Sequence, residues 1–283
     1  MNTLAAILSS RRDNWKDDKR FLTSILSFIE EFDEVWYIDW NSPEYSLLEN
    51  IRQYLPSTKK FHHVVVSANL VKDLMSLYPN AEVCNTDIAR NIGIRRASSN
   101  WIVATNVDII APSRKLLLKQ LKDKNTFYTI SRREAPQFIY QSFSAQQWKK
   151  LKGELNKYII PRYYLDGISP NDHYSIINSC GDFQVAHRDI WYNIRGFEEN
   201  MVYSLFQDSN VQKKAVMHGF MLKALFEPPI YHIEHANYCD PLANTIKKQI
   251  KYNDPLIWME HFEKTFNSRN WGLTDIDLPV EII

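Results

Sequence analysis

The residues in this sequence that could carry chemistry stand at the ends of apolar segments. Asn106 and Asp108 close the apolar run WIVATNVD, and the helix-like segment before it carries Arg90, Asn91 and Arg95. Side chains two positions apart on an extended chain share one side, so Asn106 and Asp108 would face the same way. A carboxylate and an amide oxygen suit Mg²⁺ or Mn²⁺ and leave coordination positions open for phosphate oxygens. The pattern therefore predicts a divalent-cation site, and ordinary turn chemistry at a strand end is the alternative.

The helix-like segment favours an anionic ligand. Asn91 and Arg95 lie four positions apart and therefore on one helix face, and Arg90 and Arg96 stand beside them. A planar guanidinium group is well shaped to bind a diphosphate. Gly93, in the middle of the segment, indicates that another group approaches the helix closely. A basic face exposed to solvent is the alternative interpretation.

Two more polar groups follow apolar strands earlier in the chain. Ser10 and Arg11 follow the first predicted strand, and Asp39 follows the second. Ligands of open parallel sheets bind beyond the carboxyl ends of the strands, so we expect these residues to border the same crevice as Asn106 and Asp108. An ionised aspartate only accepts hydrogen bonds, and Asp39 can accept one from the imide N–H of uracil. A helix cap or a turn is the alternative role for Asp39.

The second half of the chain supplies a candidate base and two imidazoles. Asp208 precedes a helix-like segment, where a carboxylate can deprotonate an acceptor hydroxyl. Simple capping of that helix is the alternative. The segment YHIEH ends a strand-like run, and His232 or His235 can complete a metal site, with a structural histidine as the alternative.

Apolar periodicity predicts the elements that must position these groups. The first half alternates strands with helices, which is typical of βαβ units and a parallel sheet. The second half is less regular. We expect an α/β fold with a mostly parallel central sheet flanked by helices. Strands are predicted at about residues 4–9, 35–38, 61–66, 101–105, 127–130, 183–186 and 230–233.

Composition excludes several classes of protein. A formal net charge of +1 over 283 residues argues against an extended surface for nucleic acid. No run of 18 apolar residues occurs, so no transmembrane helix is expected. Three widely spaced cysteines predict reduced thiols in a cytosol-like compartment. With only seven glycines and neither GxGxxG nor GxxxxGK[ST], dinucleotide-binding and P-loop interpretations lose their main support.

Five segments together resemble a known family. In chain order they read IDWNSP, ARNIGIRRASSNWIVATNVDI, CGDFQVAHRDIWYNIRGF, QDS and YHIEH. They are similar to segments such as EWNPP, AKNVGIRRARGEFVLATNIDI, CGDFTLMSRDDWFRLRGYPE, HLDSV and YHIEH of bacterial and viral glycosyltransferases with the GT-A fold. The resemblance runs from about residue 9 to residue 235. It implies a single GT-A domain that transfers a sugar from a nucleotide sugar, usually with a divalent metal.

The resemblance also implies roles for individual residues. Asp208 would be the catalytic base of an inverting enzyme, and Gly181 and Asp182 would contact the sugar and the acceptor. Asp108, Asn106 and His232 would hold Mn²⁺ or Mg²⁺. The donor nucleotide would contact Ser10, Arg11, Asp39, Arg90, Asn91, Arg95, Asn106 and Asp108. Two positions depart from the family pattern: the DxD element is Asn-Val-Asp, and Gln207 stands where an acidic residue usually precedes the base.

The leading hypothesis is an inverting, metal-dependent glycosyltransferase of the cytoplasm that uses a UDP-sugar and a glycan or glycoconjugate acceptor. Residues 1–115 would bind the donor, residues 116–240 the acceptor, and residues 241–283 would form a helical tail. A retaining enzyme of the same fold is one alternative, and a catalytically silent nucleotide-binding module is another. A nucleotidyltransferase would need a glycine-rich phosphate loop, which residues 9–16 lack.

Overall fold

The structure is a computed structural model that describes residues 2–11, 18–42, 52–57, 60–74, 86–161, 169–177, 181–199, 207–234 and 267–283. The side chains of Ser10 and Arg11 lie outside this description, although their backbone is in the first strand. His235 and most of the predicted helical tail also lie outside the described residues.

Nine strands in the described part of the chain form one sheet. They are β1 (Leu4–Arg11), β2 (Glu34–Ser42), β3 (Phe61–Ser67), β4 (Trp101–Asn106), β5 (Ile109–Ile110), β6 (Thr126–Ala135), β7 (Phe183–His187), β8 (Met221–Ile233) and β9 (Val280–Ile282). Their order across the sheet is β5-β8-β6-β7-β4-β1-β2-β3-β9. The α/β class is therefore confirmed.

The sheet is mixed, which corrects the prediction of a mostly parallel one. Strands β3, β2, β1 and β4 are parallel neighbours, as the alternation of strands and helices predicts. Strand β7 runs antiparallel to both β4 and β6, and the edge strands β5 and β9 are also antiparallel to their neighbours. Periodicity shows that a segment is extended but carries no information on strand direction, and β5 and β9 are too short to show any period.

Helices cover both faces of the sheet. They are α1 (Asp18–Glu31), α2 (Ala68–Leu74), α3 (Thr86–Arg96), α4 (Arg114–Gln120), α5 (Gln137–Gln141), α6 (Trp148–Leu155), α7 (His173–Ile177), α8 (Arg188–Asn193) and α9 (Gln207–Met217). Helix α1 packs on one face, against core residues that include Leu8 and Tyr37. Helix α3 packs on the other face, against Ile7 and Trp36. Among the described helices, none has the length and apolar character that a bilayer crossing requires.

The turn before β4 is fixed by one buried carboxylate. Glu34, at the start of β2, accepts hydrogen bonds from the backbone N–H and the hydroxyl groups of both Ser98 and Ser99, at 2.9–3.1 Å. It also accepts one from the indole of Trp36 at 2.7 Å. Charge-assisted bonds of this kind are the stronger ones in proteins. They set where β4 begins, and so where its other end presents Asn106.

Helix α3 lies unusually close to the sheet at Gly93. A Cβ atom at this position would stand 2.4 Å from Cγ2 of Ile7 on β1 and 3.4 Å from Cβ of Trp36 on β2. The close approach that the sequence predicts is therefore made by the sheet and not by a ligand. It brings the start of α3, with Arg90, down to the strand ends.

We expect the substitution Gly93→Ala to lower the free energy of unfolding by about 1–3 kcal/mol, because the added methyl group overlaps Ile7 in a packed core. This loss outweighs the roughly 1 kcal/mol that alanine gains over glycine in a helix. The matched control is Gly153→Ala in α6, where an added Cβ meets nothing within 4 Å. The control should gain about 0.5–1 kcal/mol in urea unfolding. A stabilised Gly93→Ala protein would contradict the tight contact between α3 and β1.

Candidate active site

The carboxyl ends of three parallel strands meet at one edge, as the sequence predicts. Ser9 on β1 is in register with Asn106 on β4, and Ser10 with Asp39 on β2. The two predicted site residues nevertheless face opposite sides of the sheet. Asn106 continues the row of Ile102 and Ala104 on the α3 side, whereas Asp39 continues the row of Val35 and Tyr37 on the α1 side.

On the α3 side, Asn106 connects the helix to the second half of the chain. Its Oδ1 accepts a hydrogen bond from Nη2 of Arg90 at 2.7 Å, and its Nδ2 donates to Oδ1 of Asp182 at 2.8 Å. The amide oxygen that the sequence predicts as a metal ligand is therefore engaged by Arg90. Metal binding by Asn106 stays a prediction, and the cation would have to share this oxygen with Arg90 or displace it.

Two residues that the sequence analysis missed extend this network. Arg132 on β6 donates from Nη1 to Oδ2 of Asp182 at 2.5 Å and from Nε to Oε1 of Glu134 at 2.7 Å. The only available sequence signal was their spacing, since residues two positions apart share one side of a strand. The sequence does not show that β6 continues beyond the apolar run to Ala135.

The network ends at the predicted metal ligands. Oε2 of Glu134 and Nδ1 of His232 are 2.6 Å apart, and Nε2 of His232 is 3.4 Å from Oδ2 of Asp108. Strand pairing produces this arrangement, because His232 on β8 is in register with Glu134 on β6 and with Ile109 on β5. The backbone N–H of Ile233 also donates to the carbonyl of Asp108 at 2.8 Å. One connected polar network therefore joins Arg90 to Asp108.

Charges in this part of the site are mutually compensated. Burial alone would lower the pKa of His232, but its contacts with the carboxylates of Asp108 and Glu134 outweigh burial and raise the pKa to about 9. Burial would raise the pKa of Glu134, but His232 and Arg132 together bring it below its ordinary value. In the metal-free protein, these contacts favour the protonated form of His232 and the ionised form of Glu134.

Asp208 lies in the first turn of α9, which begins one residue earlier at Gln207. The backbone N–H of Ser209 donates to its Oδ1 at 2.9 Å, and Nε2 of Gln184 donates to its backbone carbonyl at 3.0 Å. Gly181 packs directly against it: a Cβ at position 181 would stand 2.0 Å from Cβ of Asp208. The structure therefore brings Gly181 and Asp182 next to Asp208, and the roles that the resemblance implies for them stay predictions.

The environment of Asp208 suits a general base. Burial raises the pKa of this carboxyl, and the hydrogen bond from Ser209 and the charge of Arg90 oppose that rise without cancelling it. The charge of Asp182 raises the pKa further. A carboxylate with a raised pKa has a stronger drive to take a proton near neutral pH than an ordinary aspartate.

Asn91 and Arg95 share a helix face, as predicted, but that face is docked on the second half of the chain. Asn91 is wholly buried; its Nδ2 donates to the carbonyl of Phe197 at 2.9 Å, and its Oδ1 accepts from the N–H of the same residue at 2.8 Å. The guanidinium group of Arg95 lies over the rings of Tyr192 and Trp271, at 5.0 and 5.1 Å. These contacts stabilise the fold, and we leave both residues out of the proposed donor site.

Asp39 is wholly buried on the α1 side of the sheet. Its Oδ2 is 3.4 Å from Nε2 of His63 on β3, and Nδ1 of His63 is 3.9 Å from Oε2 of Glu281 on β9. Recognition of a base by Asp39 stays a prediction, and it requires the strand ends around this carboxylate to open.

The residues at the end of the network fit a divalent cation that takes part of its coordination from a ligand. Within the described ranges, no group of three or more His, Cys, Asp and Glu side chains is placed to hold a metal ion by itself. Oδ2 of Asp108 and Nε2 of His232 are 3.4 Å apart, close to the roughly 3 Å between neighbouring ligands of an octahedral ion with bonds of about 2.1 Å. Such an ion commonly completes its shell with water and substrate phosphates.

The architecture is similar to that of a solved glycosyltransferase. Among solved structures, the mannosyltransferase PcManGT from Pyrobaculum calidifontis, in complex with GDP-Man and Mn²⁺, superposes on 98% of this chain with a TM-score of 0.52 and 15% sequence identity. The chain spans 66% of that protein, just under two thirds of its length. No family model and no curated protein matches the sequence. The fold is thus shared with a glycosyltransferase, which is consistent with the family resemblance, and the GT-A subclass stays a prediction.

The network makes a specific prediction about the pKa of Asp208. Arg90 favours the ionised form of this carboxyl, so Arg90→Gln should raise the pKa of Asp208 further. The control is Arg95→Gln on the same helix, whose guanidinium group stacks on aromatic rings instead. Carbon-13 NMR titration of labelled aspartates measures both. Equal Asp208 titration curves in the two variants would contradict the placement of Arg90 beside the base.

Proposed function

We propose that this protein is a glycosyltransferase that moves a sugar from a nucleotide-sugar donor to an acceptor hydroxyl with inversion at the anomeric carbon. The observation that carries the proposal is the single polar network at the strand ends. It connects a candidate cation site at Asp108 and His232 to Asp182, which neighbours the candidate base Asp208. A glycosyltransferase fold supports the same conclusion.

The donor is proposed to lie over the carboxyl ends of β1 and β4, where Arg90 donates to Asn106 on the α3 side. Asp39 makes UDP-sugars the first candidates, because an ionised aspartate can accept the imide N–H of uracil. GDP-mannose is also a candidate donor, because the superposed mannosyltransferase was solved in complex with GDP-Man. The acceptor is a glycan or glycoconjugate hydroxyl.

Asp108 and His232 are the residues that would hold Mn²⁺ or Mg²⁺. Such an ion, when bound, neutralises negative charge that develops on a leaving diphosphate. The chain itself supplies Arg90 for the same purpose, because its guanidinium group already lies at the strand ends.

Asp208 is proposed to receive the proton of the acceptor hydroxyl while the hydroxyl oxygen bonds to the anomeric carbon. The bond from that carbon to the donor phosphate oxygen breaks on the opposite side, which inverts the configuration. Asp182 is proposed to orient hydroxyl groups of the sugar, since both of its oxygens are held, by Asn106 and by Arg132. Its fixed position makes it a better hydrogen-bond acceptor than a proton carrier.

A panel of UDP-sugars and GDP-mannose, with and without Mn²⁺, tests the proposal. We expect at least one donor to be consumed faster with Mn²⁺ and with an added acceptor glycan. Asp108→Asn should remove most of the Mn²⁺ dependence. Nucleotide binding by calorimetry without consumption of any donor would instead identify a catalytically silent module.

Replacement of the base separates binding from transfer. Asp208→Asn should retain donor affinity and lose about 10²–10⁴ in transfer rate, as is usual when a positioned general base is removed. Asp189→Asn is the control, because Asp189 is also in the first turn of a helix but is exposed. Normal turnover by Asp208→Asn would defeat the assignment, and a retained anomeric configuration in the NMR spectrum of the product would identify a retaining enzyme.

A further inference from the structure

The imidazole of His232 is held differently at its two nitrogens. Nδ1 is 2.6 Å from Oε2 of Glu134, which is a short hydrogen bond to a charged acceptor. Nε2 is 3.4 Å from Oδ2 of Asp108, beyond the usual 2.7–3.2 Å range of a firm hydrogen bond. The ring is therefore fixed from the Glu134 side, and its other nitrogen faces Asp108.

Glu134 is itself prevented from turning away. Its second oxygen, Oε1, accepts from Nε of Arg132 at 2.7 Å, and Arg132 is anchored in turn by Asp182. The pairing of β6 with β8 places Glu134 opposite His232 in the sheet. His232 is 6% exposed, so water does not compete strongly for its ring nitrogens.

We propose that Glu134 is a positioning residue for a divalent cation: its carboxylate accepts the Nδ1–H of His232 and so presents Nε2, together with Asp108, to the ion. This inference rests on the proposed function, because it assigns a new residue to the same site. Histidines that bind metals commonly donate their other ring N–H to a carboxylate, and loss of that partner typically costs about 10–100-fold in metal affinity.

Manganese binding in the presence of GDP or UDP measures this effect directly. Titration followed by electron paramagnetic resonance gives the affinity, and pulsed measurements detect the nitrogen-14 coupling of an imidazole bound to Mn²⁺. We expect Glu134→Ala to bind Mn²⁺ about 10–100-fold more weakly, with the nitrogen coupling reduced. Glu134→Gln keeps an oxygen acceptor for Nδ1–H and should lose less. His232→Ala defines the spectrum without the imidazole.

The matched control is Glu227→Gln. Glu227 is paired at 3.3 Å with Arg133, the residue between Arg132 and Glu134, but its side chain is 60% exposed. Its removal should leave both the affinity and the nitrogen coupling unchanged. Thermal unfolding of each variant shows whether a loss of binding reflects a loss of fold.

A second measurement uses the metal-free protein. In nitrogen-15 NMR spectra, the Nδ1 proton of His232 should exchange slowly with water in the wild type and in Glu134→Gln, and rapidly in Glu134→Ala. The exchange rate of this proton reports on the hydrogen bond between His232 and Glu134, so the measurement needs neither metal nor nucleotide.

The outcomes separate the inference from the proposed function. Wild-type Mn²⁺ affinity and nitrogen coupling in Glu134→Ala overturn the role of Glu134 and leave sugar transfer intact. Donor turnover by a wild-type protein whose Mn²⁺ shows no nitrogen coupling also overturns the inference alone. Absence of both Mn²⁺ binding and donor turnover in the wild type overturns the two together.

Discussion

The candidate site depends on the two hydrogen bonds that the carboxylate of Asp182 accepts. Strand β7 lies between β4 and β6, and Asp182, just before β7, bonds to a residue of each neighbour: Asn106 on one side and Arg132 on the other. Breaking a buried ion pair by removing one partner typically costs about 3–5 kcal/mol, because the remaining charge is left uncompensated. Without this carboxylate, Asn106 would keep its bond to Arg90, and Arg132 its bond to Glu134. The hydrogen bonds that connect the Asn106 side of the site to the Arg132 side would be lost.

The sequence was informative where side-chain chemistry coincides with strand ends. Asn106, Asp108 and His232 were predicted from their positions at or near strand ends, and the structure places them in one network, because neighbouring strands present their ends at a common edge. Asp182 came from the family resemblance and Asp208 from the start of a helix, and their roles stay predictions. The class of fold was also predictable, since the alternation of apolar segments reports which stretches are extended and which are helical.

What the sequence did not show depends on partners distant in the chain. The face of α3 that carries Asn91 is covered by residues near Phe197, and no local pattern distinguishes a face docked on protein from a face that binds a ligand. Arg132 and Glu134 were overlooked for a related reason. Charged residues at the end of an apolar run usually signal exposure, but here they continue a strand whose neighbour supplies His232. The antiparallel course of β7 is likewise set by long-range pairing.

Strand β6 departs from regular pairing with β8 between Ile130 and Arg132. Beyond that irregularity, Arg132 and Glu134 face the imidazole while Arg133 faces Glu227 at the surface. A strand slipped by one residue would exchange these two sets of charges, since successive side chains point to opposite sides. This part of β6 should consequently tolerate substitution of Arg133 far better than an insertion or a deletion. Among related sequences, we therefore expect the number of residues in this segment to vary less than the identity of the residue at position 133.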